Sequence, residues 1–149
     1  MQTSVSPIVF FAALAGILAL VAIVVAFRMR PARQSRIAVA AAVVPALLML
    51  AFFYSLAIHM HRSLGSWPTS IGERGFPPRL ITHGSISAIY FTILLFVSIF
   101  AWPVAFLVCA LIRRWRVCVY YLGVYAFACL VCFAAMLLAP SRFLNWWWD

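Results

Sequence analysis

IAVAAAVVPALLMLAFFYSLAI, residues 37–58, runs for 22 residues without a charge, with Arg36 before it and His59 after it. A helix crosses the roughly 30 Å hydrocarbon core of a bilayer with about 20 apolar residues at about 1.5 Å each, so this stretch is long enough to span a membrane. Three more read the same way, at about 8–27, 85–112 and 117–138. Arg28 closes the first, Arg113 closes the third and Pro140 follows the fourth. None of the 11 arginines lies within a span, as expected when an arginine at a helix centre costs about 2.5–3.5 kcal/mol on the insertion scale.

The rest of the chain agrees with that stretch. Of 149 residues, 68% are hydrophobic and 9% charged, with a mean hydropathy of +1.12. A soluble domain carries about 25% charged residues, which excludes a water-soluble fold, and disordered chains are poor in the aromatics and aliphatics abundant here. The expectation is an all-α integral membrane protein forming a single domain over 1–149. It is read as a four-helix transmembrane bundle of two antiparallel hairpins, with an ordered outer loop over 59–84 and an interfacial tail over 139–149. Met1 to Pro7 has no basic side chain and the apolar run behind it is long, so the first stretch reads as a retained span rather than a signal peptide.

Orientation follows from the arginines. Arg28, Arg30, Arg33 and Arg36 lie between spans one and two, and Arg113, Arg114 and Arg116 between spans three and four. These connections share a side and outnumber Arg62, Arg74, Arg79 and Arg142 on the other. The positive-inside rule places them in the cytoplasm, against anionic lipid headgroups, and both termini outside. Arginine without any lysine points to a GC-rich bacterial genome and hence a plasma (inner) membrane. Trp115 falls at the inner boundary, and Trp67, Trp146, Trp147 and Trp148 at the outer one, where indole rings anchor in the headgroup zone. The +9 charge therefore marks boundaries rather than a nucleic-acid footprint.

Helices in lipid associate through small residues. Span one carries Ala12, Ala15, Ala19, Ala22 and Ala26; span two carries Ala38, Ala42, Ala46, Ala51 and Ser55; span four carries Tyr121, Tyr125, Ala128, Cys132, Ala135 and Ala139. Pro45 and Pro103 each remove a backbone hydrogen bond and are expected to bend their helices.

The outer loop holds all three histidines and Glu73, the only acid besides the final Asp149. Trp67, Ile71, Phe76, Leu80 and Ile81 make it apolar enough to pack on the bundle. His59, His61 and His83 are the candidate ligands for haem, for copper or zinc, or for a quinone site, since neutral imidazole nitrogens suit such partners. Against this, His59 and His61 are two residues apart and diverge on a helix, whereas ligands on one face are four apart. Glu73 and Arg74 read as a local ion pair. His83, Ser87 and Tyr90 share one face and are the only polar line that resembles a narrow route inward.

Other chemistries lack their residues. Cys129-Leu-Val-Cys132 invites comparison with the four-helix membrane thiol oxidoreductases of the disulfide-forming and vitamin K epoxide reductase types, but their second cysteine pair has no counterpart in residues 59–84. Small multidrug transporters need a membrane-embedded carboxylate, and none of the spans has one. There is no phosphate-binding glycine loop and no zinc-protease motif, no motif names a cofactor, and no catalytic residue stands out. The sequence reads as a structural or accessory membrane subunit, associating with other subunits or with itself. A cofactor-binding redox protein using the outer histidines is the alternative, and a passive channel or carrier the third reading.

Overall fold

Apolar runs this long leave the backbone one way to satisfy its own N–H and C=O groups in lipid, which is helix. The protein, a computed structural model that describes residues 7–67 and 75–148, is helical in all its regular structure among those residues. Of the first helix, side chains are described from Gly16 onward, Leu18 excepted. The elements are α1 (Pro7–Arg28), α2 (Arg36–Leu64), α3 (Pro78–Phe96), a π-helical turn (Val97–Ala101), α4 (Trp102–Leu111), a 3-10 turn (Arg113–Trp115), α5 (Arg116–Met136) and α6 (Ser141–Trp148). Three continuous segments, Arg36–Leu64, Pro78–Leu111 and Arg113–Met136, are long and apolar enough to cross a membrane, which marks the chain as an integral membrane protein.

The helices outrun the apolar stretches at the end that carries the histidines. α2 continues past His59 and stops at Gly65, whose φ of 67° is the left-handed cap conformation that glycine adopts without strain. α3 begins at Pro78, after an extended Pro77, because proline presets φ for a first helical residue whose N–H has no partner anyway. The connection between them is therefore 65–77 rather than 59–84, and all three histidines sit on helices. At the other end, Ser35 caps α2 by accepting from the N–H of Ala38 at 3.3 Å.

Pro103 is accommodated by the π-helical turn. The N–H of Trp102 reaches back to the carbonyl of Val97, five residues away, and the α-helix restarts with proline in its first turn. Such single π turns mark places where a helix absorbs a proline or an inserted residue. α2 runs through Pro45 as one helix.

α5 is the hub, packed against α1, α2 and α4, while α3 packs on α2. α1 crosses α5 where Ala26 is fully buried, and a Cβ added at Gly123 would collide with that of Ala26. Further along α5, Cys132 and Met136 are buried with Ala46, Met49, Phe53, Leu56, Ala57 and Met60 of α2 and Leu80 and Leu94 of α3. Of the small-residue stripes, Ala26 of α1 lies against Gly123 of α5, and Ala42 and Ala46 of α2 are buried, Ala46 in one cluster with Cys132 of α5. The side chains of Ala12 and Ala15 lie outside the described residues. The N–H of Ser35 donates to the Tyr121 hydroxyl at 3.0 Å, so the two arginine-rich connections meet at one end of the bundle.

Hydroxyl and indole groups join the helices through each other's carbonyls. Tyr54 of α2 donates to the Ala135 carbonyl in the last turn of α5 (2.7 Å), Tyr90 of α3 to Pro45 of α2 (3.0 Å), and Trp102 of α4 to Leu122 of α5 (2.9 Å). Each such bond in a membrane contributes about 0.6–2 kcal/mol.

The α1–α5 crossing is directly testable. Gly123→Ala is expected to lower stability in mixed micelles by about 1–3 kcal/mol, the usual cost of overpacking, and Ala26→Gly in the same chain is expected to recover most of it. A Gly123→Ala protein as stable as wild type in a denaturant titration contradicts the contact.

Candidate functional site

The end of the bundle opposite the arginine-rich connections gathers the polar chemistry. His59 on α2 and His83 on α3 approach with Nδ1 atoms 3.0 Å apart, and the Nε2 of His83 lies 3.1 Å from Ser55 Oγ. Ser55 precedes His59 by four residues, one helical turn, so both face α3. His61 points elsewhere, stacking on Trp67 with ring centroids 4.7 Å apart and an interplanar angle of 26°. The three candidate histidines thus divide into a pair and a single residue, as the two-residue spacing of His59 and His61 requires.

The hydrogen bonds assign the protons. Ser55 has one hydroxyl proton and donates it to the Phe52 carbonyl at 3.0 Å, so the His83 contact is an Nε2–H donating to Ser55 Oγ. Neutral His83 then presents a bare Nδ1, which accepts from the Nδ1–H of His59. His59 is left with its Nε2 lone pair. Ring geometry supports a shared proton. The centroids are 5.2 Å apart with rings tilted by 35°, and nitrogens only 3.0 Å apart must then lie close to the line joining the two rings. Two imidazoles on one metal ion instead converge on a third point at right to tetrahedral angles, with metal–nitrogen distances of about 2.0–2.1 Å. Among the described residues no three His, Cys, Asp or Glu side chains gather. Glu73 and Arg74 lie outside the described residues.

The polar line on α3 is committed to backbone carbonyls. Ser87 donates to the carbonyl of His83 at 2.9 Å, Thr82 to that of Pro78 at 3.0 Å, and Tyr90 crosses to α2. These are the backbone-directed bonds that serine and threonine make inside helices.

Beside the histidines lies an aromatic cap. Pro140 breaks the chain after α5 and α6 folds back, burying Phe143 completely. Phe143 packs on Phe53 at 5.0 Å and on Trp67 at 6.0 Å, Trp147 on Phe53 at 5.4 Å and Phe91 at 5.8 Å, and Trp146 on Phe76 at 6.0 Å. Trp146 and Trp147 are half-buried against the bundle, and Trp148 stays 49% exposed. At the opposite end Trp115 is 46% exposed beside the arginines of the 3-10 turn. Trp67, Phe76 and Leu80 pack on the bundle as their apolar character required.

The four cysteines are all free thiols, with Cys132 buried and Cys129 half-buried on one side of α5. No protein-family model, curated protein or solved structure matches the chain.

The tautomer assignment has a spectroscopic consequence. With both rings neutral, 15N-labelled protein is expected to show His59 as the Nδ1–H tautomer and His83 as the Nε2–H tautomer, and Ser55→Ala to abolish the His83 preference. Finding both rings as the same tautomer contradicts the chain of hydrogen bonds.

Proposed function

We propose that the protein is a four-span membrane protein of the bacterial plasma membrane, acting as a non-catalytic structural or accessory subunit. The observation that carries this reading is the use of its intramembrane polar groups. Tyr54, Tyr90 and Trp102 each donate to a carbonyl of a neighbouring helix and Ser87 to one in its own, so they tie the bundle together instead of lining a route. The spans carry no charged side chain that would couple ion movement to a substrate.

The fourth span is α1. Its 22 residues reach about 33 Å at 1.5 Å each, which matches the hydrocarbon core, and its packing on α5 supports a place in the bundle. The arginine-rich connections at one end, Arg28 to Arg36 and Arg113 to Arg116, support a cytoplasmic location by the positive-inside rule and contact with anionic headgroups. Both termini then lie outside. Trp67 and the α6 tryptophans belong to the outer boundary and Trp115 to the inner one. The partners proposed are other membrane subunits or a second copy of the chain.

Cofactor binding through the outer histidines is less well supported, because only His59 and His83 meet and they meet head on. The channel reading loses its polar line to local hydrogen bonds.

Single cysteines in a background lacking the native four test the topology. Residues at 32 and 114 are expected to resist an impermeant thiol reagent added outside intact cells, and residues at 66 and 145 to react. Labelling at 32 from outside contradicts the orientation. Purified protein in proteoliposomes is expected to show no ion flux and no Soret band, while native membranes show it in an assembly larger than the purified chain. Flux or a haem spectrum from the pure chain overturns the accessory role.

A further inference from the structure

A cavity of about 750 Å³ opens between α1 and the α3–α4 segment, with α5 as its floor. Its walls are almost wholly carbon: Ala22 and Val25 from one side, Ile99 and Phe106 from the other, Phe133 below. Ser98, Tyr125 and Cys129 bring polar atoms into it. The volume lies within the range of about 300–1,000 Å³ typical of small-molecule sites, which combine apolar walls with a few placed polar groups.

The polar group has a proton to give. Ser98 Oγ and the Tyr125 hydroxyl are joined by one hydrogen bond of 2.8 Å. Two hydroxyls linked by one bond use one of their two protons, and the group facing both of them is the Cys129 thiol, whose sulfur is only a weak acceptor. Trp102, also in the wall, has already committed its indole N–H to Leu122. The π-helical turn sets this arrangement. Trp102 N–H bonds to Val97 and Pro103 has no N–H, so the turn holding Ser98 departs from regular α-helix beside the cavity, and π turns recur at functional sites.

We propose that this cavity binds a lipid-soluble molecule with an apolar tail and a carbonyl oxygen, which accepts the hydroxyl proton that the Ser98–Tyr125 pair otherwise leaves to the Cys129 sulfur. Three features select that chemistry. The walls offer no charge to hold an ion, a hydroxyl proton left to a weak sulfur acceptor calls for a stronger oxygen acceptor, and a site walled by lipid-facing residues such as Ile99, 55% exposed, is entered from the bilayer. A prenylated quinone and a fatty acyl ester both carry this chemistry. The inference is independent of the accessory role.

The full chain in nanodiscs is exposed to a photoreactive prenylated benzoquinone and, separately, to a diazirine-bearing fatty acyl ester, and the labelled peptides are identified by mass spectrometry. Labelling is expected in the peptides carrying Ile99 and Phe133 for one of the two probes, which identifies the source of the ligand. Ser98→Ala/Tyr125→Phe removes the donor and is expected to weaken that probe about tenfold, the effect of one hydrogen bond worth about 1.4 kcal/mol. Ile99→Trp narrows the mouth from the lipid side and Ala22→Phe fills the interior; either is expected to abolish labelling while thermal unfolding shows the bundle intact. If Ala22→Phe does not fold, Ile99→Trp alone decides. Labelling that ignores the donor variant is bulk lipid filling a groove and overturns the proposal, as does a cross-link between two copies through Ile99 and Phe133.

Discussion

Inside hydrocarbon, a hydrogen-bonding group without a protein partner costs several kcal/mol, and this constraint governs the molecule. Helix satisfies the backbone of the apolar runs. The side-chain donors of Tyr54, Ser87, Tyr90 and Trp102 answer to the same demand, each given to an acceptor on its own or a neighbouring helix. Tyr54 reaches Ala135 near the end of α5, where the last carbonyls of a helix lack intrahelical donors. Tyr90 and Trp102 reach the carbonyls of Pro45 and Leu122 on neighbouring helices. These polar groups are therefore joints of the bundle, and the small residues set how close the joints come.

That arrangement makes α5 the common surface. One end of it receives α1 at Gly123, the other receives α2 at Cys132 and Met136, and Pro140 then turns the chain back so that Phe143 closes that end. The cap is aromatic on all sides, Phe53, Trp67, Trp146 and Trp147 surrounding Phe143. Ring pairs of this kind contribute about 0.5–1.5 kcal/mol each beyond their buried area.

Three apolar segments were legible because an uncharged run such as 37–58 can satisfy its own backbone in lipid only as helix, and the divergence of His59 from His61 was legible because helical geometry sets it. The ends of α2 and α3 were not, since Gly65 and Pro78 govern the caps locally while composition averages over them. Gly123 escaped notice for a related reason. A stripe drawn through Tyr121, Tyr125 and Ala128 follows side-chain size along one helix, whereas the position that matters is the one where α1 leaves no room for a Cβ. The approach of His59 to His83, and of Ser98 to Tyr125, depends on which helices are neighbours, and single residues on separate spans carry no trace of that.

The packing of α1 on α5 is the joint on which the bundle's architecture and its lateral cavity both rest. Its most direct test is cross-linking by a short bifunctional thiol reagent between cysteines placed at Phe27 and Tyr120, whose rings lie 5.8 Å apart across the joint, in membranes, with the four native cysteines replaced. Efficient cross-linking within one chain is predicted, while cysteines at Val21 and Tyr120, more than a helical turn out of register, stay unlinked. An unlinked Phe27–Tyr120 pair, or linkage only between two chains, would contradict the joint.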